Sequence, residues 1–183
     1  AAVAAQIMGL SVRTNLRMPD GFFEHNQVNL LKIIEQIRLH QPEIIFANAL
    51  SDRHPDHGRA GKLVAEACFL AGLRKIHTSH NGVAQEPHRP RLVLHYIQDF
   101  QLEPSVVFDV TPYIGQKLQC VKAYQTQFFD PNSQEPNTPI SGELFFDFLK
   151  GRMQEMGRPA GLDFAEGFVI NRRFAVQDLF SLR

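Results

Sequence analysis

Apolar positions along the chain change their period several times, and each change marks an element. Between Asn26 and His40, Leu30, Leu31, Ile33, Ile34 and Ile37 recur at helical spacing, the stripe of an amphipathic helix. Asn26 is placed to cap it, because its side-chain oxygen can accept a backbone N–H left unpaired at a helix start. Gln41-Pro42 stops it, since the residue before a proline is pushed out of the helical region. The next run, EIIFANAL over residues 43–50, is almost continuously apolar and predicts a parallel strand buried on both faces. Ala60, Leu63, Val64, Ala67, Cys68 and Ala71 return to helical spacing, with Gly72 as the stop. LVLHYI (92–97) and SVVFDV (105–110) predict two more strands. A helix follows from Thr111 to Phe128, another over Glu143–Met156, and a last strand over residues 164–171.

Alternating strands and helices predict an α/β fold, Rossmann-like, with a mostly parallel sheet flanked by helices. Residues 129–142 are rich in Pro, Asn and Ser and long enough for a functional loop such as a lid. The opening AAVAAQIM reads as the last turns of a helix stopped by Gly9, with no methionine before it. The expectation is one domain over residues 1–183 that lacks an N-terminal βα portion.

Composition narrows the function only by exclusion. Lys plus Arg equals Asp plus Glu, so no overall basic field exists to hold nucleic acid. No apolar run approaches the roughly 18 residues that span a bilayer. Cys68 and Cys120 form no CxxC pair, which leads to the expectation of a reducing cytoplasm.

The candidate chemistry is concentrated in SDRHPDHGRAG, residues 51–61, between a predicted strand and a predicted helix. In parallel α/β folds, sites form beyond the carboxyl ends of the strands. Histidine nitrogen and aspartate oxygen suit zinc, and histidine moves protons near neutral pH. The same residues also suit a polar loop whose aspartate favours a helix start. From this motif alone both readings stand.

A longer string adds weight to the first. NLRMPDGFF, PEIIFANALSDRHPDH, EPHRPRLVLHY, KAYQTQF and DFAEGF occur in this order. Together they resemble the LmbE/PIG-L family of zinc-dependent N-deacetylases over almost the whole chain. Within the family they are most similar to the subgroup that deacetylates N-acetylglucosaminyl malate in bacillithiol biosynthesis. The resemblance implies that His57 binds Zn2+, that His54 faces the substrate carbonyl, and that Asp56 holds His54 in the right tautomer. It implies a substrate-binding role for Arg53 and Arg89. It also implies a histidine, an aspartate and a general-base aspartate from an AHPDD-type motif, and no such motif occurs in this chain. These 183 residues by themselves are therefore expected to be inactive and to bind zinc weakly.

The expected partners are a small N-acetylated amino-sugar substrate and further copies of the chain, with no nucleic acid and no membrane. Some relatives carry a lid tyrosine where this chain has Phe145 and Phe146, and neither Tyr96 nor Tyr124 is assigned a catalytic role. His95 and Glu166 are weaker candidates for lining or orienting the site. Two rival readings remain open. One is a non-catalytic binding module that keeps the fold. The other is a metal-free hydrolase built on a His54–Asp56 dyad.

Overall fold

Helix boundaries in the computed structural model follow the capping residues closely. It describes residues 1–124, 128, 138, 140–142 and 144–181. Helix α1 covers Ala2–Met8 and ends at Gly9, whose left-handed φ of 66° lets its N–H return to the Ala5 and Gln6 carbonyls. Helix α2 covers Gln27–His40, and the Asn26 side chain accepts the Asn29 N–H at 3.0 Å. Strand β1 is Ile44–Ala47 and helix α3 is Pro55–Ala71. A short hairpin, β2 Ser79–His80 and β3 Val83–Ala84, turns through Asn81 and Gly82 at φ of 49° and 80°. That pair of positive angles belongs to the tight turn that Asn-Gly favours. Strands β4 (Leu92–Tyr96) and β5 (Val106–Asp109) follow, then helices α4 (Ile114–Lys122) and α5 (Phe145–Gly157), and strand β6 (Ala165–Val169). The suspected lid at 129–142 lies almost wholly outside the described residues.

The four longer strands form a sheet in the order β1-β4-β6-β5. Strands β1 and β4 are parallel, with Ala47 opposite His95, whereas β4 and β6 are antiparallel. The α/β architecture is thus present with a mixed sheet. Strand β1 departs from expectation in its burial. Ala47 is buried, but Ile44 and Phe46 are 41% and 60% exposed. It is the outermost strand among those described, and the face that carries Ile44 and Phe46 is largely uncovered by them, although the Phe46 ring packs on Phe168 at 5.3 Å.

The chain divides into two compact units. One comprises Ala1–Asn15, Val107–Glu166 and Phe180–Arg183, and in it α1 packs on α4. Lys117 of α4 and Glu166 of β6 form an ion pair there, so Glu166 is engaged in this unit. The other comprises Leu16–Val106 and Gly167–Leu179, and it holds the main core and the whole SDRHPDH stretch. Leu30, Ile34 and Ile37 of α2 meet Leu63, Ala67, Cys68 and Ala71 of α3, and Leu94, Phe168 and Ile170 form a smaller cluster. Arg38 is buried against the end of α3. Its guanidinium donates to the Ala71, Leu73 and Ile76 carbonyls at 2.7–3.0 Å and to the Thr78 hydroxyl at 2.9 Å. Four acceptors satisfy a buried cation and close the carbonyls that the helix end leaves open.

Candidate active site

The site is built from the loop after β1 and the first turn of α3. The apolar stripe begins at Ala60, but the helix itself starts at Pro55, whose fixed φ and missing N–H suit a first helical position. Its closeness to the sheet depends on small residues. A Cβ added at Gly61 would lie 2.7 Å from the Asn48 carbonyl oxygen and 2.8 Å from that of Ala49. Backbone thus touches backbone where strand becomes loop.

His54 is the N-cap of α3. Its Nδ1 accepts the Asp56 backbone N–H at 3.2 Å, and its Nε2 has no partner among the described residues. A ring nitrogen that accepts an N–H carries no proton, so neutral His54 holds its proton on Nε2 and presents a donor. His57 lies one turn along, its ring centroid 5.1 Å from that of His54. Its Nδ1 is hydrogen-bonded to the Asp52 carboxylate, which leaves Nε2 facing away from that carboxylate. The Asp52 side chain is fully shielded from solvent, whereas that of His57 is 35% exposed. The other Asp52 oxygen accepts the N–H groups of Asp99 at 2.8 Å and Phe100 at 2.9 Å. Burial pushes the Asp52 carboxyl up, but hydrogen bonds from His57 and from the Phe100, Asp99 and Arg53 amides outweigh it and hold the group below its ordinary value.

Two expected roles change. The Asp56 carboxylate does not reach the His54 ring. One oxygen accepts the Gly21 N–H at 2.6 Å and the other accepts from Arg59 at 2.5 Å. Asp56 is nearly buried in the first turn of α3, where it is ion-paired with Arg59. Only its backbone N–H orients His54, so the His54–Asp56 dyad of the metal-free reading is not formed. Arg89 stands away from the site. Its guanidinium stacks over the Phe69 ring at 4.4 Å, donates to the Phe69 carbonyl at 3.0 Å, and folds across Gly72. Phe69 lies near the end of α3 and Gly72 just past it, about 20 Å from the start of the helix at 1.5 Å per residue. Helix packing, and no ligand, accounts for its position.

Arg53 remains at the site. It is half-exposed and its Nε donates to Asp99 at 2.9 Å. His95 is buried beneath the loop, 1% exposed, with Nδ1 donating to the Asn48 carbonyl at 2.8 Å, so it supports the site from the strand and does not line it. Beside it the Tyr96 hydroxyl is raised in pKa, first by burial and also by the Asp52 charge, against a hydrogen bond from Asn48. An open groove of about 410 Å³ runs past the loop, with Asp52, Pro55, Arg59 and Lys62 on its wall. Asp52, the residue that sequence reasoning passed over, stands in the same string as the two histidines.

The donors can be tested against zinc. An imidazole held at Nδ1 by a buried carboxylate is the usual arrangement of a zinc-ligating histidine, and His57 fits one position of such a site. Among the described residues no three His, Cys, Asp or Glu side chains converge into a metal-binding group. Those residues would therefore offer a zinc ion one ligand and its outer carboxylate, short of a complete site.

Fold and site together define an α/β protein with a pair of histidines at the start of a helix. The sequence pattern of the PIG-L family, described as GlcNAc-PI de-N-acetylase, matches residues 1–68. A diacetylchitobiose deacetylase of Thermococcus kodakarensis is 25% identical over 167 residues, covering 90% of this chain; the chain spans 58% of that relative's length. Among solved structures, a conserved protein of Thermus thermophilus superposes with a TM-score of 0.81 at 30% identity, over 96% of this chain and 73% of the other. The N,N'-diacetylchitobiose deacetylase of Pyrococcus horikoshii shares the fold with a TM-score of 0.72 at 20% identity, over 92% of this chain and 60% of the other. A 4-carboxy-2-hydroxymuconate hydratase of Pseudomonas putida shares it equally, at 0.73 and 18% identity, over 97% of this chain and 71% of the other. Residues 1–68 thus match the PIG-L family pattern, and almost the whole chain shares its fold with the Thermus protein.

Proposed function

We propose that the protein is a zinc-dependent N-deacetylase acting on N-acetylated amino sugars. The reading is carried by one observation: two neighbouring imidazoles held in opposite roles. His57 is tied at Nδ1 and offers Nε2 to a metal, while His54 is capped at Nδ1 and offers an Nε2–H. Zinc, when bound, polarises a carbonyl and acidifies water. His54 would donate its Nε2–H to the acetyl oxygen as that atom gains negative charge, a contact worth about 3 kcal/mol in comparable hydrolases. Arg53, steadied by Asp99, would bind hydroxyl or carboxylate groups of the substrate at the rim. The products are a free amine and acetate. Within this class N-acetylglucosaminyl malate is the proposed substrate, supported by the sequence resemblance and by a guanidinium able to grip a carboxylate. The cytoplasm is the proposed location, resting on cysteine usage alone.

Acetate release from N-acetylglucosamine, N,N'-diacetylchitobiose and N-acetylglucosaminyl malate, assayed with zinc and with the chain joined to a segment that carries an AHPDD-type motif, tests the proposal. Turnover of at least one, highest for the malate conjugate, is expected. Arg53→Ala should raise KM for the malate conjugate more than for N-acetylglucosamine. No release from any of the three would overturn the deacetylase reading in favour of a binding module.

A further inference from the structure

Asp52 faces two kinds of partner with two different oxygens. Oδ1 receives two backbone N–H groups, from Asp99 and Phe100, and these can only donate. Oδ2 meets His57 Nδ1. A carboxylate can only accept, so the proton between them must sit on the imidazole. His57 is then an Nδ1–H tautomer whose Nε2 keeps its lone pair. The two amides belong to the loop after β4, and the Asp99 carboxylate in that loop holds Arg53.

We propose that Asp52 is the positioning residue of this centre: it selects the His57 tautomer able to ligate a metal, and with the same side chain it fixes the loop that steadies Arg53. The metal half of this statement rests on the reading of His57 as a zinc ligand. The tautomer half does not. Full shielding of the Asp52 side chain strengthens both halves, because no water competes for either oxygen.

Asp52→Asn separates the two jobs. An asparagine of the same shape keeps its oxygen towards the two amide donors, since the reverse orientation would set N–H against N–H. Its NH2 then faces His57 and requires Nδ1 to accept, which moves the ring proton to Nε2 and removes the lone pair a metal needs. The loop survives and the ligand does not. Ring-nitrogen correlation NMR on the metal-free protein, at alkaline pH where free imidazole is neutral, should show Nδ1–H in the wild type and Nε2–H in Asp52→Asn. Zinc affinity, measured by chelator competition on the chain joined to a segment that carries an AHPDD-type motif, should fall about 10–100-fold in the variant, with its melting temperature nearly unchanged. Asp52→Ala should lose both zinc affinity and loop order. An Nε2–H tautomer in the wild type overturns the proposal whether or not the variant folds. Equal zinc affinity in wild type and Asp52→Asn overturns it too. A wild type that shows the Nδ1–H tautomer yet binds no zinc even when an AHPDD-type segment is joined to it would sink the zinc reading and leave Asp52's control of the tautomer standing.

Discussion

Single side chains divide the proposed chemistry between His54 and His57, and substitution can separate them. In a protein that also carries the AHPDD-type ligands, His57→Ala should strip zinc, measured by metal analysis, because the Nε2 donor is gone. His54→Ala should retain zinc and lose turnover about 10²–10³-fold, the usual loss when an oxyanion donor is removed. Equal zinc content in both variants would contradict the assignment. Asp52 adds a pH signature. Its folded carboxyl lies below the ordinary value of 3.8, so the native state binds fewer protons than the unfolded one as pH falls. The stabilisation is therefore complete above that ordinary value and is lost as pH drops towards the lower folded one. Urea midpoints of the metal-free protein should fall more steeply for wild type than for Asp52→Asn between pH 5 and pH 3. The sequence exposed both histidines through the HPDH string. It could not show which carboxylate serves which ring. Asp56 sits closer in sequence to His54, yet its place in the first helical turn sends the carboxylate to Gly21 and Arg59 instead.

Elements position that first turn, and here the sequence was most readable. Asn26 and Gly9 mark helix ends as their chemistry predicts, whereas Gly72 ends α3 at φ −82°, with no left-handed angle, and instead leaves room for Arg89. The start of α3 was harder to see because its first turn is polar: Pro55, Asp56 and His57 carry no apolar stripe, and a histidine does the capping. The β2–β3 hairpin was passed over although Asn81-Gly82 is a strong turn signal, because each strand has only two residues and no alternation to read. Arg89 misled for the opposite reason: a guanidinium suits a ligand and suits an aromatic ring equally well in sequence. The closeness of α3 to the end of β1 gives this scale its test. Gly61→Ala would drive a methyl into two backbone carbonyl oxygens that cannot swing aside. Destabilisation of about 1–3 kcal/mol by chemical denaturation is expected, with weakened zinc binding as the loop is displaced. A neutral Gly61→Ala would show that the helix has room to shift.

For the molecule as a whole, the best-filled core lies in the unit that carries the site. Helices α2 and α3 bury Leu30, Ile34, Ile37, Leu63, Ala67 and Ala71 against each other, whereas α4 has no fully buried residue. Local opening costs follow buried apolar contact. Hydrogen exchange followed by mass spectrometry should find α2 and α3 amides slowest and α4 amides markedly faster; equal protection would contradict this ranking. One more consequence follows from the histidine at the start of α3. Side chains that cap helices best are Asn, Asp and Ser, so His54→Asn should make the protein more robust, raising Tm by about 1–3 °C in a chain of this size, while abolishing turnover. A screen for thermal tolerance alone would therefore drift towards asparagine at 54 and discard the proposed activity, and directed evolution of this scaffold needs that position held fixed.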